Sequence, residues 1–261
     1  MPPTVAWIAF TPVKGLRLRQ LEEAVVTADG IPGDRAFFLV DGDGAMVSAT
    51  RLGALLSVVA DHDPAAGRLA LRFPDGREVA GAVELDDAIP VRFYRTTLQA
   101  RPVRGDFSAA LSEHAGAPLR LVAGGGRGGF SGVDRGGDGA VTLLSTGSLE
   151  RLRAQAGAAE PVDMRRFRMT FGIDGVAPHA EDGWCDVRIG AALVRVRGNV
   201  GRCVATTRNA DSGEVDFRTL HHLAAYRRDG IETTERLPFG VHACVLEPGT
   251  VRVGDPVEPL G

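Results

Sequence analysis

The sequence predicts a mostly β (α+β) fold with peripheral helices. Short runs of alternating or continuous apolar residues recur along the chain, for example at residues 5–10 and 98–103. Turn signals such as Asp41-Gly42-Asp43-Gly44 and Asp75-Gly76 separate these runs. So many short strands at this spacing indicate a barrel or a sandwich. At 261 residues the chain can form one large β-rich domain or two small ones.

The predicted elements follow in order along the chain. In the first half we expect strands at residues 5–10, 21–28, 36–40, 45–49, 58–61, 69–73, 78–80, 89–94 and 98–103. A helix is expected at residues 107–114, because Asp106 can cap its start and Gly116 its end. In the second half we expect strands at residues 141–144, 169–173, 187–196, 204–207, 240–246 and 251–257, and helices at 149–156 and 219–227.

The composition argues against several classes of partner and compartment. With a formal net charge of -3 and a mean hydropathy near zero, the chain shows no sign of binding nucleic acid or an acidic membrane. No run of about 18 apolar residues occurs, and the N-terminus lacks the features of a signal peptide. The three cysteines are an odd number without close pairs, which argues against a disulfide framework. We therefore expect a cytoplasmic protein.

The stretch 198–214 contains the candidate reactive residue, Cys203. It lies between the predicted strands at 187–196 and 204–207, at the mouth of a hairpin and directly after Arg202. A cysteine thiolate is both a nucleophile and a soft metal ligand. The alternative interpretation is a small buried hydrophobic residue. We expect Cys203 to be partly exposed in a cleft, and Cys185 and Cys244 to be buried.

Two further features stand out, namely a single lysine, which chance also explains, and a helix start that is typical of an anion site. Lys14 is the single lysine in a chain otherwise rich in arginine, and it follows a predicted strand in the loop 11–15. Residues 145–148 open a predicted helix, and the N–H groups and dipole of a helix N-terminus attract anions. The alternative for these hydroxyl groups is an ordinary N-cap, and both interpretations stay open.

Five groups of motifs occur in order over nearly the whole chain. They are T-P-V-K-G at 11–15, G-D-R-A-F-F-L-V at 33–40, L-L-S-T-G-S-L at 143–149, R-F-R with A-E-D-G-W at 166–168 and 180–184, and R-C-V-A-T-T-R-N-A-D-S-G at 202–213 with L-E-P-G-T-V-R-V-G-D-P-V at 246–257. With this set the chain resembles the MOSC (molybdenum-cofactor sulfurase C-terminal) proteins, in the branch that has an N-terminal β-barrel and includes the amidoxime-reducing components. The resemblance implies a MOSC N-terminal β-barrel-like domain at residues 1–117. It also implies a MOSC β-barrel, similar to the pyruvate-kinase barrel, at residues 118–261.

The resemblance also implies a molybdenum cofactor, a molybdopterin with bound molybdenum, held between the two domains. Cys203 matches the ligand of the metal, and the catalytic residues implied are Cys203, Arg168 and Thr170. The cofactor-binding residues implied are Lys14, Gly15, Arg35, Arg51, Ser145, Thr146, Gly147, Ser148, Arg166, Arg168 and Arg202. We therefore expect Lys14, Arg35, Arg168 and the amides of residues 145–148 to form one anion pocket.

The function that the resemblance implies is the reduction of a small-molecule substrate with an N–O or S–O bond, such as an N-hydroxylated compound, by oxygen-atom transfer. A separate flavin and iron–sulfur or haem protein would donate the electrons, because the three cysteines do not form a cluster motif. Met169, Thr170 and Val200 differ from the family pattern, which has proline, asparagine and often a second cysteine at these positions. The alternatives are a carrier of the cofactor or of cysteine-bound sulfur, and a specialised relative without cofactor.

Overall fold

The computed structural model describes residues 2–124, 139–227 and 233–260. Its strands are β1 (Thr4–Phe10), β2 (Arg19–Leu21), β3 (Glu23–Val26), β4 (Phe37–Val40), β5 (Met46–Val47), β6 (Val59–Asp63), β7 (Arg68–Arg72), β8 (Glu78–Ala82), β9 (Ile89–Phe93), β10 (Thr96–Pro102), β11 (Arg120–Gly124), β12 (Val141–Ser145), β13 (Phe171–Asp174), β14 (Asp186–Ile189), β15 (Ala192–Gly201), β16 (Pro238–Glu247), β17 (Gly249–Arg252) and β18 (Val257–Leu260). The α-helices are α1 (Phe107–Ala115), α2 (Thr146–Ala156) and α3 (Thr219–Ala224), and 3-10 helices lie at Gly53–Ser57, Met164–Phe167, Ala180–Gly183 and Val204–Thr207. The predicted mostly β fold with peripheral helices is confirmed. None of the helices in these ranges combines the length and apolarity of a membrane-crossing segment.

The largest sheet contains most strands of the second half of the chain. Its strand order is β18-β14-β15-β16-β12-β13-β1-β2. Neighbouring strands are antiparallel except β12 and β13, which run parallel and are connected through α2, as a parallel pair requires. Apolar side chains from this sheet, such as Ile8, Leu143 and Phe171, form one fully buried core.

A second core lies between two smaller sheets. The five-stranded sheet has the order β5-β4-β11-β10-β9, and the three-stranded sheet has the order β6-β7-β8. Leu39 of β4 and Leu71 of β7 are fully buried in the same core as Phe107 and Leu111 of α1. The predicted helix at residues 107–114 therefore joins the two sheets through its apolar face.

Strand pairing crosses residue 117 in both directions. β1 and β2 belong to the largest sheet and β3 pairs with β17, whereas β11 lies between β4 and β10 in the five-stranded sheet. The division into domains 1–117 and 118–261 stays a prediction. The chain passes from one sheet to the other directly after β1, where the N–H of Lys14 donates to the carbonyl oxygen of Phe37 (2.8 Å). This crossing places Lys14 between the two halves of the fold.

The predicted strand at residues 204–207 is wrong, because these residues form the 3-10 helix Val204–Thr207. Thr206 Oγ1 donates to the carbonyl oxygen of Cys203 (3.0 Å), and Thr207 Oγ1 donates to that of Val204 (2.7 Å). Threonine hydroxyls that bond to nearby backbone compete with the sheet, and here they overcome the β propensity of the segment. The chain therefore turns immediately after Cys203.

Candidate functional site

A cavity of about 780 Å³ lies between the two halves of the chain, and we call it the central cavity. It is lined by residues 14–15, 35, 48–50, 94–95, 142, 167–169, 200–203, 205 and 235. Five of the lining residues are cationic, namely Lys14, Arg35, Arg95, Arg168 and Arg202, and one, Glu235, is a carboxylate. Because the cavity walls concentrate positive charge, the cavity favours an anionic ligand.

Lys14 reaches the cavity from the loop after β1. Its Nζ lies 5.6 Å from the ring centroid of Tyr94 and 5.7 Å from that of Phe93, at the end of the β9–β10 hairpin. These distances are those of a cation–π contact, which holds the ammonium group beside the cavity. The next residue, Gly15, has a φ of 95°, a backbone conformation that residues with a side chain rarely adopt, so a substitution there would be strained.

Arg35 is buried and positions a second arginine. Its Nη1 pairs with the carboxylate of Asp34, whose Oδ1 in turn accepts the N–H of Thr11 (2.9 Å). Its Nη2 donates to the carbonyl oxygen of Arg168 (2.9 Å). The guanidinium group of Arg35 therefore fixes the backbone of Arg168, which comes from the other half of the chain.

Arg168 is the donor in the cavity that most clearly requires a ligand. It ends the 3-10 helix Met164–Phe167 in a left-handed conformation, with a φ of 57°. Burial, and to a smaller extent the positive charge of Arg35, lower the pKa of Arg168 to about 9. Its Nη2 is buried and has no hydrogen-bond partner among residues 2–124, 139–227 and 233–260. A buried donor without a partner is costly, so this guanidinium is a candidate for binding an anion.

Arg202 has a different role, although burial lowers its pKa to about 9 as well. Its guanidinium donates to the carbonyl oxygens of Phe239 (2.8 Å from Nε) and Phe167 (2.9 Å), and to the sulfur of Met169 (2.9 Å). It also lies 5.3 Å from the ring centroid of Phe167. Since these groups use its donors, Arg202 shapes the cavity wall and is a weaker candidate for direct cofactor binding.

Cys203 is exposed, lines the central cavity and precedes the 3-10 helix Val204–Thr207. Its Sγ lies 3.9 Å from Oγ1 of Thr50, which belongs to the first half of the chain. The prediction that the other two cysteines are buried is wrong, because Cys185 is exposed and Cys244 is partly exposed. Cys185 directly precedes the strand β14, and Cys244 begins the part of β16 that extends beyond the core.

The start of α2 lies outside the lining of the central cavity, contrary to the predicted joint pocket. Oε1 of the buried Glu181 accepts the N–H of Ser145 (3.1 Å) and the hydroxyl of Ser148 (2.9 Å). Ser145 is also the N-cap, since its Oγ accepts the N–H of Ser148 (3.1 Å). Thr146 donates to Asp174 (2.5 Å), and the backbone of residues 176–178 closely covers Gly147. The positive end of this helix is therefore neutralised by the protein's own carboxylate.

Arg166 and Arg51 also lie outside the central cavity. Arg166 donates to the carbonyl oxygen of Arg208 (2.6 Å) and pairs with Asp216 (2.6 Å), so it holds the segment that follows Cys203. Arg51 is mostly exposed and pairs with Asp41 (2.6 Å), and this pair lowers the pKa of Asp41. These two arginines therefore support the walls or the surroundings of the cavity.

Thr170, which was predicted to be catalytic, is buried and does not line the cavity. Its N–H donates to Oγ1 of Thr142 (2.8 Å), and its own Oγ1 accepts the N–H of Thr142 (3.2 Å). The two hydroxyls are also 3.1 Å apart. Thr170 therefore joins β12 to the chain before β13, and Thr142 is the partner that reaches the cavity.

The sequence interpretation missed Tyr94, Arg95 and Glu235 as cavity residues. Tyr94 is the first residue of the two-residue loop between β9 and β10 and has a φ of 53°. A two-residue hairpin with positive φ at this position normally has glycine there. A two-residue loop without glycine was thus the signal in the sequence that could have indicated a special position.

Two family models together match almost the whole chain. The MOSC domain matches residues 113–258, and the MOSC N-terminal beta barrel domain matches residues 3–117. The YUAD protein of Bacillus subtilis, known from a crystal structure, aligns over 98% of this chain and 94% of its own, with a TM-score of 0.45 and 10% identity.

Curated relatives match the chain over shorter segments. Mitochondrial amidoxime-reducing component 1 of Xenopus laevis is 36% identical over 122 residues, which are 45% of this chain and 35% of the relative. The Mus musculus protein of the same name is 37% identical over 124 residues, 46% of this chain and 36% of the relative. Molybdenum cofactor sulfurase of Solanum lycopersicum is 32% identical over 117 residues, which are 42% of this chain and 14% of the relative. The matched segment thus spans about a third of the first two relatives. On the family models, this chain belongs to the MOSC family, with a MOSC N-terminal beta barrel domain preceding the MOSC domain.

Proposed function

We propose that this protein is a molybdenum-cofactor-dependent oxidoreductase that reduces N-hydroxylated and other N–O or S–O compounds by oxygen-atom transfer. The observation that carries the proposal is an exposed thiol, Cys203, in the same cavity as five cationic side chains. The names of the relatives, amidoxime-reducing component and molybdenum cofactor sulfurase, support this choice of cofactor and reaction.

The chemistry of the donor groups fits such a cofactor. A molybdopterin carries phosphate, and the unpartnered Nη2 of Arg168 is a charged donor that an anionic oxygen would satisfy. Lys14 contributes a second positive charge to the same cavity. The backbone of Arg168 is fixed by Arg35, so its guanidinium is held in place before a ligand binds.

Cys203 is the proposed ligand of molybdenum, because a thiolate is a soft donor. When bound, the cofactor supplies the two-electron redox chemistry that oxygen-atom transfer needs. Thr50 orients the cysteine, since its hydroxyl is 3.9 Å from the sulfur and its carbonyl oxygen accepts a hydrogen bond from Arg208 (3.3 Å). Arg202 keeps the cavity wall in place through its bonds to backbone carbonyls.

The electrons, in this proposal, come from a separate flavin and iron–sulfur or haem protein. An iron–sulfur cluster usually takes four cysteine ligands, whereas the sequence has three cysteines. Cys203 is open to solvent, so the proposed metal position lies close to the surface that a partner would approach.

The test is to produce the protein in a host that makes the molybdenum cofactor and to measure two quantities, molybdenum content and amidoxime reduction with a chemical electron donor. Cys203→Ser should lose both, because a serine hydroxyl is normally protonated and replaces a thiolate poorly. Cys185→Ser, at the other exposed cysteine, should keep both. Lys14→Ala should lower cofactor affinity roughly tenfold to a hundredfold, as expected for one lost charge–phosphate contact.

Two outcomes would contradict the proposal. Reductase activity that survives in Cys203→Ser would exclude the proposed role of the thiolate. Wild-type protein that binds the cofactor but reduces neither amidoximes nor other N–O or S–O compounds would favour a carrier of the cofactor.

A further inference from the structure

A smaller hollow of about 310 Å³ adjoins the central cavity, and we call it the side hollow. Ser48, Thr50 and Tyr94 line both spaces and form the boundary between them. The side hollow is otherwise bounded by Ala45, Met46, Arg51 and Arg92. A ligand that extends from the central cavity past Tyr94 therefore enters the side hollow.

The side hollow carries a positive charge that the protein does not neutralise. Arg51 pairs with Asp41 (2.6 Å), but Arg92 is exposed and its guanidinium forms no ion pair or hydrogen bond with any residue that the structure describes. The backbone of Arg92 is nevertheless fixed, because its N–H donates to the carbonyl oxygen of Gly44 (2.8 Å). A guanidinium group in a hollow matches a carboxylate or a phosphate, with which it forms paired hydrogen bonds.

Tyr94 separates the two spaces in a conformation that a tyrosine rarely adopts. Its φ is 53°, at the loop position where glycine is normal, and the residue is 53% exposed. The ring packs edge-on against Phe93, with 5.2 Å between centroids, and lies beside Nζ of Lys14. An exposed aromatic ring held in a strained conformation between two ligand-sized spaces is an expected feature of a binding site.

We infer that the side hollow binds an oxyanion substituent of the substrate through Arg92, while Tyr94 contacts the planar part of the same molecule. The inference rests on the proposed reductase function and narrows its substrate class to planar N-hydroxylated compounds that carry a negatively charged group. The N–O group then lies in the central cavity toward Cys203. Arg92 is thus a specificity-determining residue and takes no part in the chemistry.

The experiment compares an aromatic amidoxime with its meta- and para-carboxylate derivatives. Dissociation constants are measured by calorimetry on the purified protein, and KM is measured with the chemical electron donor. The better of the two carboxylates should bind wild type about fivefold more tightly than the neutral parent, which is the size expected for one partly exposed ion pair. The preference should shrink at high salt.

Substitutions test whether the preference for the charged compound depends on the side hollow. Arg92→Gln should remove most of the preference and leave the affinity for the neutral compound unchanged, and Arg92→Glu should reverse it. The matched control is Arg68→Gln, because Arg68 is also an exposed arginine on a strand, β7, but lies away from both spaces. Tyr94→Leu should weaken the binding of neutral and charged compounds by similar factors, because both would lose the aromatic contact.

The inference is overturned if wild type binds the neutral and charged compounds equally, or if the preference persists in Arg92→Gln. Its failure can be distinguished from failure of the proposed function. Reduction of both compounds without any preference would leave the reductase function standing and exclude the role of Arg92. Preferential binding that depends on Arg92, without reduction of either compound, would support the side hollow and contradict the reductase.

Discussion

Arg168 and Arg202 should respond in opposite ways to the same substitution in cofactor-free protein. Burial is the largest cause that lowers the pKa of each to about 9, so both guanidinium groups are strongly desolvated. Arg202, however, donates to two backbone carbonyls and a sulfur, whereas Nη2 of Arg168 has no partner among the described residues. Replacing each arginine by methionine, which is of similar length, removes the charge and tests whether it is compensated.

The expected magnitudes follow from these contacts. In Arg202→Met, the carbonyl oxygens of Phe239 and Phe167 lose a donor, at about 1–3 kcal/mol for each buried acceptor left unpaired. Part of this cost is offset by removing a buried charge, so we expect unfolding free energy to fall by about 2–4 kcal/mol. Arg168→Met removes a poorly compensated charge that Arg35 repels, so stability should stay the same or rise by about 1–2 kcal/mol.

The assay is urea-induced unfolding of cofactor-free wild type and both variants near neutral pH, followed by far-UV circular dichroism. The same experiment on cofactor-loaded protein measures how much the cofactor stabilises each protein. Ligand binding should stabilise wild type and should stabilise Arg168→Met much less, because the proposed anion contact is missing. Equal destabilisation by the two substitutions in cofactor-free protein would refute the distinction between a structural and a ligand-binding arginine.

Three further predictions concern residues that do not line the central cavity. Gly172→Ala should lower unfolding free energy by about 3 kcal/mol or more in urea unfolding, because a Cβ would overlap the Trp7 indole. The control is Gly183→Ala, where a Cβ meets open space, and an equally large loss of unfolding free energy in this control would contradict the reason. Glu181→Leu should cost about 2–4 kcal/mol in the same assay, since the first turn of α2 loses its acceptor, and a loss below about 1 kcal/mol would show that Glu181 does not hold the helix. Burial lowers the pKa of His179 from 6.5 to about 4, so the unfolded chain binds a proton that the folded chain excludes between these values. A shift of this size corresponds to about 3 kcal/mol, and solvent around the partly exposed ring reduces the effect, so unfolding free energy should fall by about 1–2 kcal/mol as pH decreases through this range. A His179→Gln variant with an unchanged pH dependence would contradict this prediction.

The strand content and several cavity residues could be predicted because their signals are local. Alternating apolar runs and the turn at Asp41–Gly44 are visible in a few neighbouring residues, and β4 and β5 pair around that turn. Lys14 follows directly from β1, so its place at the end of a strand could be deduced from the sequence alone. The motif around Cys203 likewise placed it after a strand, which is β15, but the turn that directly follows it was not predicted, because residues 204–207 have the β propensity of a strand.

The start of α2 could not be assigned correctly because its partner is distant in sequence. Ser145 and Ser148 show the composition of an anion site, and the structure does place an anion there, but it is the carboxylate of Glu181. Glu181 lies 36 residues after Ser145, on a separate 3-10 helix. Local sequence shows that a helix N-terminus attracts negative charge, and only the tertiary structure shows whether the protein or a ligand supplies it.

Backbone strain and unmatched charge coincide around the central cavity. Five described residues other than glycine have a positive φ, and three of them, Arg35, Tyr94 and Arg168, line the cavity. Such conformations cost on the order of 1 kcal/mol or more each, and the unpartnered Nη2 of Arg168 adds a further cost. Glycine at Tyr94 and an apolar residue at Arg168 would reduce these costs without disturbing the sheets, which take their stability from other residues. An anionic ligand would satisfy the charge of Arg168 and use the fixed position of Arg35 and the exposed ring of Tyr94. A binding function at this cavity therefore explains why Arg35, Tyr94 and Arg168 all keep conformations that lower the stability of the fold.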